Sequence, residues 1–397
     1  MIKKDYLGNY TELISSGSTP KGGSDNYLDQ GEILFIRSQN VLMNKFSDHD
    51  ALYIPLNIHE KMKRTWVKNR DVLLNITGAS IGRTTVYIGE DDKANVNQHV
   101  CIIRLKDFKT IDPFYLSYFL SSTSFQRHIM KINAGATRQA LNFSQIGKFK
   151  IPILPIQTQK KIVEILKNAE KLKKWRNESD ELTDSLLNSL FFDLFGDPLS
   201  NEKFNTKKIS HITSFVSYGF TRRMPHLNEG IPIITSKNVT KSKIDFNNID
   251  YTDLKSFNEL SPKDCPKKGD ILYTKDGRIG EAALVENDNQ FCISQAVAIL
   301  RPIKSEINPL FFEKLLNHPI FKTYINRKAY GVALKHISIT KLKNEKIICP
   351  PLDVQNEFVK IINEFETLKN YQSQSKNEID NLYNTLMQKA FKGELVC

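Results

Sequence analysis

The longest regular pattern in the chain is helical. Ile162, Ile165, Leu166, Ala169, Leu172, Ser179, Leu182, Leu186 and Leu190 recur at spacings of three, four and seven. Phe358, Ile361, Ile362, Phe365, Leu368, Ser375, Leu382 and Leu386 repeat the pattern near the end of the chain. Polar and charged residues fill the gaps, and neither run meets Pro or Gly before Gly196 and Gly393 close them. Such spacing predicts two long solvated helices, each with one apolar seam. A helix of about 35 residues spans roughly 50 Å at 1.5 Å per residue, too long to fold back on its own globule. Its natural partner is its duplicate, which predicts a two-helix coiled coil between two globules.

The segment before each helix has shorter periods. Val72 to Ile76, Thr84 to Ile88 and Val100 to Leu105 read as strands broken by Gly and Asn turns. Pro113 to Leu120 reads as a helix with Asp112 as N-cap and Pro first in the helix, and Asn308-Pro309 opens another in the same way. These signals predict a mixed α/β or α+β globule.

The two globule-plus-helix stretches are copies of one unit. Ile36-Arg37-Ser38-Gln39-Asn40-Val41 returns about 198 residues later as Ile234-Thr235-Ser236-Lys237-Asn238-Val239. Asp71-Val72-Leu73-Leu74 returns as Asp270-Ile271-Leu272-Tyr273, and Asn97-Gln98-His99-Val100 as Ser294-Gln295-Ala296-Val297. The offset drifts by only a few residues down to Pro155-Ile156-Gln157-Thr158-Gln159 and its match Pro351-Leu352-Asp353-Val354-Gln355.

Composition adds a polyanion to the picture. Over 397 residues the net charge is +12, and the excess is shared evenly by the parts before and after Gly196. An even basic excess favours an acidic partner touched by both halves. The five cysteines form no C-x-x-C pair and the histidines no metal-binding spacing, which points to a reducing cytoplasm without a disulfide framework or zinc cluster. No signal peptide or membrane span is expected.

Catalytic motifs do not emerge. Gly78-Ala79-Ser80-Ile81-Gly82-Arg83-Thr84 is one residue short of a phosphate loop and has Arg where that loop needs Lys, so it reads as a turn between strands. Asp112-Pro113-Phe114-Tyr115 lacks the second Pro of an amino-methyltransferase signature and reads as a helix start. No nucleophile elbow or nuclease carboxylate set is found. The chain reads as one that binds. A stand-alone DNA methyltransferase or nuclease with an unrecognised site, and a coiled-coil scaffold indifferent to DNA, are the competing readings.

For DNA, the first globule offers Lys21, Arg37, Gln39, Asn40, Lys63, Arg64, Arg83, Gln98, Arg138 and Gln139, with Lys61, Lys63, Arg64, Lys68 and Arg70 surrounding Trp66. The second offers Arg222, Arg223, Lys237, Asn238, Lys275, Arg278, Gln295, Lys335 and His336. Arg, Gln and Asn pair with base edges in the major groove, while Lys holds phosphates. Repeated pairs such as Asn40/Asn238 and Gln98/Gln295 also read as framework of the duplicated fold. Sequence-reading residues are expected to differ between globules. Phe191, Phe192, Phe195 and Phe391 form apolar helix ends that either dock another protein or cap the bundle.

The tract Asp71 to Gly82, the tract Gly135-Ala136-Thr137-Arg138-Gln139-Ala140-Leu141-Asn142 and the helix entry Ile151 to Val163 resemble the specificity subunit of type I restriction-modification systems. The resemblance spans the whole chain in the family's order. It implies an α+β protein with target recognition domains over 1–155 and 198–351, and long helices over 156–197 and 352–397 forming an antiparallel coiled coil. It further implies that each recognition domain reads half of a bipartite DNA target while the helices set the spacer. Two methylation subunits would dock through the helices and restriction subunits would join them. By the same resemblance this chain is non-catalytic and holds no cofactor, S-adenosylmethionine, ATP and Mg²⁺ belonging to the partners. The second copy departs from the pattern: Tyr330-Gly331-Val332-Ala333-Leu334-Lys335 lacks the Gln of its counterpart, and Lys275-Asp276 replaces Thr77-Gly78.

Overall fold

The computed structural model describes residues 3–20, 22–132, 140–200, 202–240, 242–331 and 335–395. The chain divides into two compact units, Met1–Arg176 with Gln374–Cys397, and Asn177–Ser373. Each unit contains one globule and a stretch of both long helices, Ile156–Phe195 and Leu352–Lys392.

In the first unit an antiparallel sheet runs in the order Thr11–Ser16, Val100–Leu105, Val72–Asn75, Thr84–Val86. A mixed sheet runs Leu52–Ile54, Ile33–Ile36, Ala94–Val96, Trp66–Val67, with Ile33–Ile36 parallel to Ala94–Val96. Successive side chains of a strand point to opposite faces. Val72, Leu74, Cys101 and Ile103 therefore join the core under the helices Pro113–Ser121 and Thr123–Ile132, while Leu73, Val100 and Ile102 join the core between the sheets. Burial on both faces is why these strands read as unbroken apolar runs.

The second unit repeats the plan, except that its mixed sheet has three strands among the described residues, Asp250–Thr252, Ile231–Ile234 and Cys292–Ile293, with no counterpart of Trp66–Val67. Thr213–Tyr218, Val297–Pro302, Ile271–Thr274 and Ala282–Leu284 form its antiparallel sheet. Ile271 and Tyr273 face one core and Leu272 the other.

Matched polar contacts hold both copies. Arg104 makes a two-pronged ion pair with buried Asp71 at 2.7–2.9 Å, and Arg301 does the same with Asp270 at 2.7–2.8 Å. Asp112 caps its helix by accepting from the Phe114 and Tyr115 amides, and Asn308 accepts from those of Leu310 and Phe311. The helix-start reading of both motifs is thereby explained. Gln159 and Gln355, fully buried one turn into each long helix, lock helix to globule: their Oε1 atoms accept from the Asp112 and Asn308 amides at 2.9 and 2.8 Å.

Within each unit the long helices run antiparallel. In the first, Lys173 pairs with Asp380 at 2.7 Å and Glu170 accepts from Tyr383 at 3.1 Å. In the second, Gln372 donates to Thr183 and Lys369 pairs with Asp184, both at 2.8 Å. One partner number rises as the other falls. The expected seam holds in the first turns of each helix, where Ile162, Leu166, Ala169, Phe358 and Ile362 are buried, and departs from expectation farther along. Leu172, Leu182, Leu186, Leu368 and Leu382 are exposed, while Thr183, Leu187, Gln372 and Met387 are buried. Each helix packs on a globule as well as on its twin, so the buried face is not a single heptad stripe. No helix among the described residues is long and apolar enough to cross a membrane, and no group of three His, Cys, Asp or Glu side chains among them is placed to hold a metal.

Candidate nucleic-acid interface

The topology gathers chain turns at one end of both sheets. In the first unit, strands Thr11–Ser16, Val72–Asn75, Ile33–Ile36 and Ala94–Val96 end there, while Val100–Leu105, Thr84–Val86 and Trp66–Val67 begin there. The turns carrying Arg37 and Gln39, Lys63 and Arg64, Arg83, and Gln98 therefore share that end. The second unit collects Arg222 and Arg223, Lys237, Lys275 and Arg278, and Gln295 in the same way.

Two glycines allow this convergence. A Cβ on Gly17 would lie 1.6 Å from the Val96 carbonyl oxygen, and one on Gly219 would lie 1.8 Å from that of Ile293. No side chain fits between those backbones.

Polar side chains chain together across the first end. Thr19 donates to Gln98 Oε1, Gln98 Nε2 meets His99 Nε2 at 3.0 Å, and His99 Nδ1 meets the Thr77 hydroxyl at 2.6 Å. Thr77 pairs with Ala140. Lys21, Arg138 and Gln139 lie outside the described residues. In the second unit the same place is built differently. Lys275 donates to Asp276 Oδ2 at 2.7 Å, and the other oxygen of Asp276 contacts His336 Nδ1. Tyr330 stands edge-on to His336 at 5.1 Å, and the Lys335 carbonyl accepts from the Gly277 amide at 3.0 Å. One end presents amide, imidazole and hydroxyl groups, while the other presents a carboxylate between an ammonium and an imidazole.

Gln39, Lys63, Arg64, Arg83, Gln98, Arg223, Lys237, Arg278, Gln295 and Lys335 are exposed, and Arg37 and His336 half-buried. Arg222 is also exposed but is held by Glu259 at 3.1 Å and the Ser256 carbonyl. Three expected contact residues are corrected. Asn40 and Asn238 are buried turn locks: Asn40 accepts from the Arg37 amide at 3.0 Å and donates to the Ser47 carbonyl at 2.9 Å. Asn238 repeats this with the Thr235 amide at 3.0 Å and the Asp245 carbonyl at 3.2 Å. Lys275 is buried on Asp276 rather than presented outward. Trp66 is no open stacking platform, because the His59 ring covers it at 4.6 Å and the His59 backbone carbonyl accepts its indole N–H at 2.8 Å.

The phenylalanines are corrected as well. Phe191 and Phe195 are buried against Phe311 and Phe358 within the second unit, so they are core. Phe391 packs on Tyr115 and Phe119 within the first. Phe192 alone of the four is exposed, at 48%. The outward apolar groups are instead Leu172, Trp175 and Leu382 in the first unit, and Leu182, Leu186, Leu368 and Tyr371 in the second. Thr19, Thr77, His99, Asp276 and Tyr330 also stand at the sheet ends, although no sequence motif singles them out as contact residues. Their signal was available: Thr77 and Asp276 fall where the two copies disagree.

Residues 8–183 and 205–381 each match the family model described as type I restriction modification DNA specificity domain. The EcoBI type I restriction enzyme specificity subunit of Escherichia coli is 23% identical, over 99% of this chain and 85% of that protein. The EcoKI specificity subunit of Escherichia coli strain K12 is 21% identical, over 98% of this chain and 88% of its own. A solved chain from a study of complex assembly and conformational transition of the type I R-M system superposes with a TM-score of 0.66 at 16% identity, covering 99% of this chain and 98% of that one.

Proposed function

Because the chain belongs to the family of type I restriction-modification DNA specificity domains, we propose that it is the sequence-reading, non-catalytic subunit of such a system. Each unit reads one half of a split DNA target with the side chains at its sheet end. The exposed lysines and arginines hold phosphates, while Arg, Gln and the polar clusters around Thr77 and Asp276 meet base edges. The long helices, which continue from one unit into the other, set the unspecified spacer between the halves.

Two methylation subunits dock along the helices on the outward leucines, and restriction subunits join that assembly. Exposed apolar rows such as Leu182 with Leu186, one turn apart, favour a protein partner over open solvent. S-adenosylmethionine, ATP and Mg²⁺ enter with those partners and supply the methyl transfer and the DNA movement.

The observation that carries this reading is the contrast between the copies. Asp71/Asp270, Asn40/Asn238 and Gln159/Gln355 do the same work in both units, whereas Thr77–His99 and Asp276–His336 do not. A shared framework with different tips suits two readers of different sequences. Selection from a random duplex library by the chain assembled with its methylation subunits tests it. Two short defined segments separated by a constant undefined gap are expected. A single continuous motif, or none, would reject the reading.

A further inference from the structure

The two units differ at the notch where the long helices meet the helix that follows Asp112 or Asn308. In the first unit the notch is filled. Lys167 lays its ammonium 3.6 Å from the centre of the Phe114 ring. Glu170, nearly one turn on, accepts from the Tyr118 hydroxyl at 2.6 Å and the Tyr383 hydroxyl at 3.1 Å. A residual cavity of about 80 Å³ remains.

About 196 residues later Asn363 stands for Lys167, Leu310 for Phe114, Lys314 for Tyr118, Glu366 for Glu170 and Glu313 for Ser117. Asn363 is too short to occupy the space that Lys167 takes. A cavity of about 440 Å³ opens instead, with Leu310 and Phe246 on its apolar side and Glu313, Glu366, Lys314 and Asn363 on its polar side.

The opened notch suits a cation. Glu313 is 1% exposed, and its Oε1 accepts from Asn317. Its Oε2 meets the Lys314 ammonium at 3.3 Å, and the neighbouring Ser242 hydroxyl is the one other donor to this carboxyl, a neutral one that leaves its charge uncompensated. That ammonium is shared with Glu366 at 3.2 Å. Two carboxylates thus divide one positive charge in a partly dry site, and a second ammonium would satisfy both. Lys243 and Glu286 at the rim have opposite signs and leave that imbalance in place.

We infer that this notch receives a lysine side chain of a methylation subunit docked on the second unit, supplying from the partner what Lys167 supplies internally in the first. The inference rests on the functional reading above for the partner's identity. The lysine stem lies along Leu310 and Phe246, and its ammonium reaches Glu313 and Glu366. The two docked subunits are consequently unequal, since one contributes a buried lysine and the other does not.

Asn363→Lys in the full chain fills the notch from within. Sedimentation and calorimetric titration with the purified methylation subunit should show two copies on the unaltered chain. On Asn363→Lys, one copy should keep its affinity and the other should bind at least about tenfold more weakly. Asn363→Ala should leave both within about twofold, which separates filling the notch from losing the amide. A carbodiimide, which joins a carboxylate to an adjacent lysine, should link Glu313 or Glu366 to the methylation subunit in the unaltered complex, whether or not the variant folds. Two equal copies on a folded Asn363→Lys chain, or links running only to Lys314, would overturn this inference alone. Failure of the unaltered chain to bind the methylation subunit would overturn the functional reading and the inference with it.

Discussion

Among the glycines described, Gly17 and Gly219 are the most tightly constrained by their neighbours. Both sit where two strand ends come closer than any side chain permits, and the obstructing atoms are backbone carbonyls that cannot swing aside. Gly219→Ala should cost about 1–3 kcal/mol by forcing those strand ends apart. Footprinting should show protection lost over one half-site and kept over the other, because the first unit is untouched. Glu313 carries a different kind of constraint. Burial raises its carboxyl above the ordinary range, against the opposing pull of Lys314. Between that raised value and the ordinary value of about 4.3 the folded chain keeps a proton that the unfolded chain releases, and above both the carboxylate is ionised, the form that takes a cation in the notch. Stability attached to this group is therefore full below the ordinary value and declines as pH rises through the raised one. Thermal melts between pH 4.5 and 8 should show Glu313→Gln flattening that decline relative to the unaltered chain.

At the level of elements, the long helices pack through apolar side chains such as Ile162, Leu166, Met387, Leu187 and Phe358, and a buried polar pair adds a constraint on their register. Thr183 and Gln372 are buried against each other, and a buried polar pair of this kind fixes register because any slip leaves both unsatisfied. Inserting four residues between Ser179 and Asp180 would lengthen one helix by roughly 6 Å and rotate everything beyond it off the original face. The bases selected from a random library should stay the same, and the preferred gap should widen by about two base pairs unless binding is lost. A seven-residue insertion, which restores the face, is the matched control. An unchanged gap with both insertions would remove the helices from the role of spacer.

For the whole molecule, the duplication predicts independence of the two readers. Each globule has its own cores and its own Asp–Arg ion pair and helix clamp, so neither depends on the other's tips. Exchanging residues 1–155 for the matching block of a relative should change one half-site and retain the other and the gap. A change in both would reject independent reading. Binding should also weaken steeply with salt, with a log–log slope near −5 for about six phosphate contacts. Replacing Lys61, Lys63 and Lys68 together by Ala should flatten that slope if the exposed face of the Trp66 segment lies on DNA, and leave it unchanged if it is merely solvated.

Local periodicity and repetition determined much of this protein. The two long helices, the capped helix starts at Asp112 and Asn308, the strands at Val72, Thr84 and Val100, and the duplication all follow from neighbours close in sequence or from copied strings. Family resemblance carried the same reading to function. Tertiary structure decided which side of each pattern is used. Asn40 and Asn238 have the right chemistry for adenine, yet each is consumed by a turn about seven residues long that closes over it. Phe191 and Phe195 look like an exposed apolar end until Phe311 and Phe358, more than a hundred residues away, cover them. Leu182 and Leu186 fit a seam by spacing but face outward, because a helix shared between a twin and a globule buries whichever side the globule occupies. Sequence spacing states that a face is apolar or polar. Only contacts between distant segments settle whether water, a partner or the protein's own core lies against it.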